Sequence, residues 1–153
     1  MMNTQTIGPA QAGPAQPSKT VSHVLGEITW LLSQSPIHKN MFISDLEWMV
    51  MPAILLEQFR IFHGPSGQPA GLVLWGSISD ETEERLRSHK VRLRPDEWKG
   101  GPNLWLIEMV APFGGQEEML ADVAATIFQG KPFKYQLTGP NGVEVKTHSP
   151  TLN

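Results

Sequence analysis

Residues 103–115 read Asn-Leu-Trp-Leu-Ile-Glu-Met-Val-Ala-Pro-Phe-Gly-Gly, and no other stretch limits the fold of this chain as much. Over 104–110 every residue is apolar except Glu108, and Ala111-Pro112 with a glycine pair closes the run. A short apolar run bounded in this way reads as a buried central strand. Pro112 has no N–H to give, so the ladder stops there. Helical spacing resumes beyond it, with Met119, Leu120, Val123, Ala124 and Ile127 on one face. The unit is strand, tight glycine turn, helix. A carboxylate inside such a strand is costly when buried and unpaired, so Glu108 requires a partner or a water-filled site.

The remaining elements are arranged around that unit. Residues 1–19 are Gln, Gly, Pro, Ala, Thr and Ser with almost nothing to bury, which predicts a disordered tail ahead of a domain at 20–148. A helix capped by Thr20 or Ser22 carries Val24, Leu25, Ile28, Leu31 and Leu32 at helical spacing, and it ends near Ser35 because Pro36 disfavours helical geometry in the residue before it. After the polar break at 37–40, Ser44 and Glu47 are spaced as a capping box opening a short helix that Pro52 terminates. Residues 56–62 and 70–75 are strands around a hairpin-type loop at 63–69. Residues 80–83 form another capping box, opening a solvated charged helix that reaches about Ser88. A basic connection at 89–102 leads into the central strand. Strands at 133–137 and 143–146 flank the turn signal Asn141-Gly142, and the chain frays over 149–153. With 14 Gly and 13 Pro, many turns are expected. The order of elements specifies an α+β (mixed α/β) domain with a mostly antiparallel central sheet flanked by helices.

Composition removes several functions. The net charge is −3 and no long Lys/Arg cluster occurs, which argues against nucleic acid or an anionic membrane as main partner. With no cysteine, disulfides, thiolate metal sites and an acyl-cysteine intermediate are all excluded. No apolar run approaches the ~20 residues of a membrane span, and no signal peptide is evident, so a cytoplasmic protein is expected. The histidines at 23, 38, 63, 89 and 148 show no HxH or HxxxH spacing, so no metal site is expected. His63 in a turn, His23 at a helix start and His148 in a tail are read as solvated. His38 differs, because a residue just past a proline-terminated helix can be displayed beside a cleft.

Residues 32–40, Leu-Ser-Gln-Ser-Pro-Ile-His-Lys-Asn, resemble the Ser-Pro-Leu/Ile-His-Arg/Lys-Asn signature of the RTX toxin-activating lysine acyltransferases. Val50-Met51-Pro52-Ala53-Ile54 is similar to that family's Leu-Pro-Ala-Ile segment, and Leu74-Trp75-Gly76 through Ser79 to its Ser-Trp-Ala…Leu-Ser. Residues 105–114 are similar to its Trp-Phe-Ile-Asp-Trp-Ile-Ala-Pro-Phe-Gly. The matches keep order and spacing from about 24 to 146. The resemblance implies a GCN5-related N-acetyltransferase-like fold, a homodimer, and transfer of a fatty acyl chain from acyl carrier protein to internal lysines of an RTX protoxin in the cytoplasm. It places the family's catalytic His on His38, its catalytic Asp on Glu108 and its functionally important Ser on Ser35. The departure is Glu108, one methylene longer than the usual Asp.

The chemistry agrees with that picture. A lysine amine must be neutral to attack a thioester, yet free lysine has a pKa near ~10.4. A histidine held by a carboxylate is a suitable base, and His38 is the partner that Glu108 lacks. The options are direct transfer in a ternary complex, which we favour, or an acyl-imidazole on His38. Coenzyme-A-dependent enzymes of this general fold cradle a pyrophosphate on a Gly-rich, Arg-containing turn, but here the turn at 113–118 carries Glu117 and Glu118, which repel a diphosphate. An acyl carrier protein asks less of that turn, no bound cofactor is expected, and the basic residues Lys90, Arg92, Arg94 and Lys99 can dock an acidic carrier or simply be solvated. Two rival readings are a degenerate homologue that only binds toxin or carrier, and an acyltransferase of the same fold acting on a small amine. A neighbouring gene for a large protein with Gly-Gly-x-Gly-x-Asp repeats would favour the protoxin lysine acyltransferase over both.

Overall fold

The computed structural model describes residues 19–88, 92–140 and 142–149. The tail expected before Lys19, most of the expected C-terminal fraying, Lys90 and Asn141 lie outside the described residues.

Helix α1 (Val21–Gln34) forms where the apolar spacing predicts it, and Thr20 Oγ1 caps it by accepting the His23 N–H at 3.1 Å. Val24, Ile28, Leu31 and Leu32 are buried along its inner face. Ser35 leaves helical geometry (φ −91, ψ 122), as a residue before proline must. A 3₁₀ turn (Ile43–Asp45) leads into two short helices, α2 (Leu46–Met49) and α3 (Met51–Leu55). The capping acid sits two residues earlier than expected: the Asp45 carboxylate, not Glu47, reaches back and accepts the Phe42 N–H at 2.9 Å. Pro52 also differs from expectation. It lies in the first turn of α3, where its missing N–H is no loss, and so it opens a helix instead of closing one.

Strands β1 (Phe59–His63) and β2 (Pro69–Ile78) form an antiparallel hairpin. β1 starts later than residue 56 because α3 runs to Leu55 and Leu56 caps it, and β2 runs on past residue 75 to Ile78. Helix α4 (Asp80–Arg87) is capped by Ser79, one residue ahead of the expected box, through a 3.1 Å bond from the Thr82 N–H to Ser79 Oγ. β3 (Asn103–Val110) lies antiparallel to β2. Gly114 and Gly115 take φ +90 and +87, a conformation closed to other residues without strain, and turn the chain into α5 (Gln116–Asp122). A π turn (Val123–Ile127) extends α5, and β4 (Phe133–Gly139) and β5 (Gly142–His148) follow. His148 is the last residue of β5, stacked 4.9 Å from Phe133, and not part of a free tail. His63 ends β1 and bonds Glu27 at 3.1 Å, so it is not simply solvated.

The sheet order is β1-β2-β3-β4-β5, antiparallel except between β3 and β4. Parallel neighbours require a crossover, and α5 supplies it. α1, α3 and α4 cover one face around Ile28, Leu31, Leu72, Leu74 and Trp105, while α5 covers the other around Val73, Leu106, Val123 and Phe133. The apolar character of β3 follows from burial on both sides. Among the described residues no helix is long and apolar enough to cross a membrane.

Candidate active site

The site lies where the end of α1 meets the middle of β3. The Ser35 carbonyl accepts the backbone N–H groups of both His38 (3.0 Å) and Lys39 (2.9 Å), a tight turn that folds the imidazole back over Ser35. Pro36 favours this turn by holding Ser35 extended. His38 Nδ1 is 2.6 Å from Ser35 Oγ, and His38 Nε2 is 3.0 Å from Glu108 Oε1. Ser35 is 4% exposed, and the side chains of His38 and Glu108 are 12% and 32% exposed. All three residues singled out in the sequence therefore form one hydrogen-bonded chain.

A defect in the β3 ladder brings Glu108 to the right face. Leu74 pairs with Glu108 and Trp75 with Leu106, so Ile107 is an extra residue, a β-bulge. Strict alternation from Leu104 and Leu106 would turn Glu108 toward the α5 side. The bulge resets the count, and Glu108 shares the face of its partner Leu74, which packs with α1.

The geometry sets the protonation pattern. An ionised carboxylate only accepts, so His38 Nε2 carries the proton and Nδ1 accepts from the Ser35 hydroxyl. Glu108 thus holds the tautomer that leaves a basic ring nitrogen and stabilises the imidazolium once it forms. Among the described residues Glu108 Oε2 makes no hydrogen bond, and no group of three His, Asp or Glu side chains is placed to hold a metal ion.

A cavity of about 230 Å³ opens beside this chain. Half-buried Trp48, Met49, Ile107, Glu108 and Gln136 border its mouth, and buried Leu86, Leu93, Trp98 and Trp105 form its floor. It lies where the parallel pairing of β3 and β4 is limited to Trp105 with Lys134. Sealed and empty, about 230 Å³ would cost roughly 5 kcal/mol at ~24 cal/mol per Å³. That is a large share of the ~5–15 kcal/mol that keeps a domain folded. The floor holds a second unusual feature. Trp98 is 1% exposed, and its indole N–H is the buried side-chain polar atom without a partner among the described residues. Trp105, by contrast, donates its indole N–H to Glu83 at 2.8 Å.

Polar networks brace the cavity. Burial raises the Glu83 carboxyl, but its bonds from Lys134 and Trp105 outweigh that and hold it below the usual range. Glu83 and Arg85 are thus the exceptions on a helix whose charges are otherwise mostly solvated, as its sequence predicts. The Arg85 guanidinium bonds Glu97, which also accepts the Arg94 backbone N–H and the Thr82 hydroxyl, and these contacts bring its pKa down to about 2. Of the expected carrier-docking residues, Arg94 is thus partly committed to Asp96 and Glu97, while Arg92, 70% exposed, lies 4.8 Å over the ring of Trp48, which borders the cavity, and 4.0 Å from Asp45. The bulge, the cavity and the Arg92–Trp48 contact are not legible in the sequence: Trp105 and Leu106 read as strand positions, but Leu93 and Trp98 fall in what reads as a basic connection.

Comparison with known proteins agrees with the motifs. A model of the RTX toxin acyltransferase family matches residues 17–149. The chain is similar to the lysine-acyltransferase RtxC of Vibrio cholerae, with 26% identity over 108 residues, 71% of each chain. It is similar to the RTX-II toxin-activating lysine-acyltransferase ApxIIC of Actinobacillus pleuropneumoniae, with 36% identity over 92 residues, 60% of this chain and 57% of that protein. It also matches the leukotoxin-activating lysine-acyltransferase LktC of a Pasteurella haemolytica-like species at 33% over 102 residues, 67% of this chain and 61% of that one. The chain thus spans somewhat less than two thirds of the length of the last two relatives.

Proposed function

The chain belongs to the RTX toxin acyltransferase family, and we propose that it moves a fatty acyl group from acyl carrier protein to the ε-amine of internal lysines of an RTX protoxin, activating it in the cytoplasm. The observation that carries this reading is the Ser35–His38–Glu108 chain, with His38 Nε2 3.0 Å from the carboxylate.

In this reading Glu108, the most exposed of the three, receives the incoming lysine ammonium at Oε2. The ammonium loses one proton to water. As the amine nitrogen bonds to the thioester carbon, His38 accepts the second proton and Glu108 stabilises the imidazolium. When the C–S bond breaks, His38 returns that proton to the departing pantetheine thiolate, so the products are an amide and a free thiol. Ser35 positions the ring through Nδ1. The basic Nδ1 becomes available when the Ser35 hydroxyl turns away, or acts through that hydroxyl as a relay.

Three features support the donor and the fold. One strand–helix–strand crossover between otherwise antiparallel strands is compatible with a GCN5-related N-acetyltransferase-like architecture. Where β3 and β4 do not pair, their main-chain groups are available to the amides of a phosphopantetheine arm. Arg92, lying over Trp48 at the cavity mouth, meets the arm's single phosphodiester or the acidic carrier. The enzyme needs no bound cofactor in this scheme, and it works as a homodimer. Mass spectrometry of a candidate protoxin, co-expressed with and without this chain, tests the proposal. Acyl-lysine must appear only with the intact chain and must disappear with His38→Ala.

A further inference from the structure

The cavity beside Glu108 has a polar mouth and an apolar floor, the shape of a site for an amphiphile with its head at the catalytic pair. We propose that it takes the hydrocarbon tail of the transferred acyl group, carbonyl at the Glu108 mouth, and that Leu86 and Leu93 on the floor set how much of the tail is buried. This rests on the acyltransferase reading and adds to it a location and a length gauge.

Two observations converge. Glu108 borders the cavity and also bonds His38, so a chain lying in the cavity presents its reactive end to the catalytic pair. The floor is lined by Leu86, Leu93, Trp98 and Trp105, each largely buried, and offers an alkyl chain apolar surface. At about 30 Å³ for each water-sized group, about 230 Å³ holds roughly eight methylenes. Tails up to that length are buried whole, and longer tails run out past Trp48 and Met49.

Two measurements on the full chain test this. The first needs no turnover: free fatty acids of six to sixteen carbons, brominated at the terminal carbon, quench the tryptophan fluorescence of Trp98 and Trp105 on the floor. Affinity rises about 3- to 4-fold per added methylene and levels off beyond about eight to ten carbons. The second measures acyl transfer from carrier protein loaded with the same chain lengths, in the native chain, Leu93→Phe and Leu93→Ala, with near-ultraviolet circular dichroism to verify folding. At that volume per methylene, Leu93→Phe shifts the preference about one carbon shorter, and Leu93→Ala, which removes three side-chain carbons, shifts it about two to three carbons longer. Quenching that does not depend on chain length, or transfer profiles identical in all three chains, overturns the proposal while the acyltransferase reading stands. Length-dependent quenching without transfer from any donor keeps the cavity as a fatty-acyl site and sinks the acyltransferase reading instead.

Discussion

Glu108→Gln is the substitution that separates charge from shape. Gln is isosteric, and its carbonyl oxygen can still accept from His38 Nε2 at the present 3.0 Å separation. The tautomer therefore survives, and the loss is the negative charge that stabilises the imidazolium. Two unit charges ~4 Å apart attract by about 1 kcal/mol in water and about 4 kcal/mol at an effective dielectric constant near 20. Glu108, 32% exposed beside a His38 ring 12% exposed, lies between these limits. About 2.5 kcal/mol is then expected, close to 10²-fold in rate and within the range of acid–base catalysis. The assay is single-turnover acylation of a protoxin fragment by acyl carrier protein, at matched folded concentration. Glu108→Asp completes the comparison. Shortening the side chain by about 1.5 Å opens the gap to His38, so a native backbone predicts a slower enzyme even though the motif that residues 105–114 resemble carries Asp. If Glu108→Gln acylates as fast as the native chain, the carboxylate is only a solvated residue and the pairing has no role in the chemistry.

Other outcomes follow from the same geometry. Ser35→Ala removes the 2.6 Å bond at Nδ1 but leaves Glu108 in place, so it should slow acylation by about 3- to 10-fold, less than Glu108→Gln, in the same single-turnover assay. With a folded pKa of about 2 against 4.5 for an ordinary Glu, Glu97 stabilises the fold above pH 4.5, and that contribution is lost as the pH falls toward 2. Glu97→Gln should therefore cost at most about 3 kcal/mol at pH 7, and urea unfolding should show the difference closing near pH 2. Acyl carrier protein should support turnover where acyl-coenzyme A at the same concentration does not, and equal rates would remove the electrostatic argument from Glu117 and Glu118.

Much of the site was legible because it rests on local rules. An apolar run with one acid identifies β3, a proline after α1 fixes where the helix stops, and a histidine two residues later is thereby displayed. The helical face of Met119, Val123 and Ile127 packs on the sheet for the same reason. What escaped depends on contacts between distant residues. The choice of Asp45 over Glu47 as capping acid turns on where the 3₁₀ segment begins. Pro52 reads as a stop or a start depending on the break at Val50 before it. The cavity is walled by residues from α2, α4, the 92–98 connection, β3 and β4, so no window of sequence contains it.

The bulge at Ile107 bears on how relatives of this chain are compared. Parity along a strand decides which way a side chain points, and one added residue reverses it for everything that follows. A relative with a regular ladder in β3 reaches the same histidine from an acid one place closer to the tryptophan. An alignment without gaps sets that acid against Ile107 and leaves an apolar residue opposite Glu108, so an active enzyme would be scored as having lost its carboxylate. Whether such a chain is catalytically competent has to be judged by the hydrogen-bonded partner of its acid across the sheet, which here is Leu74.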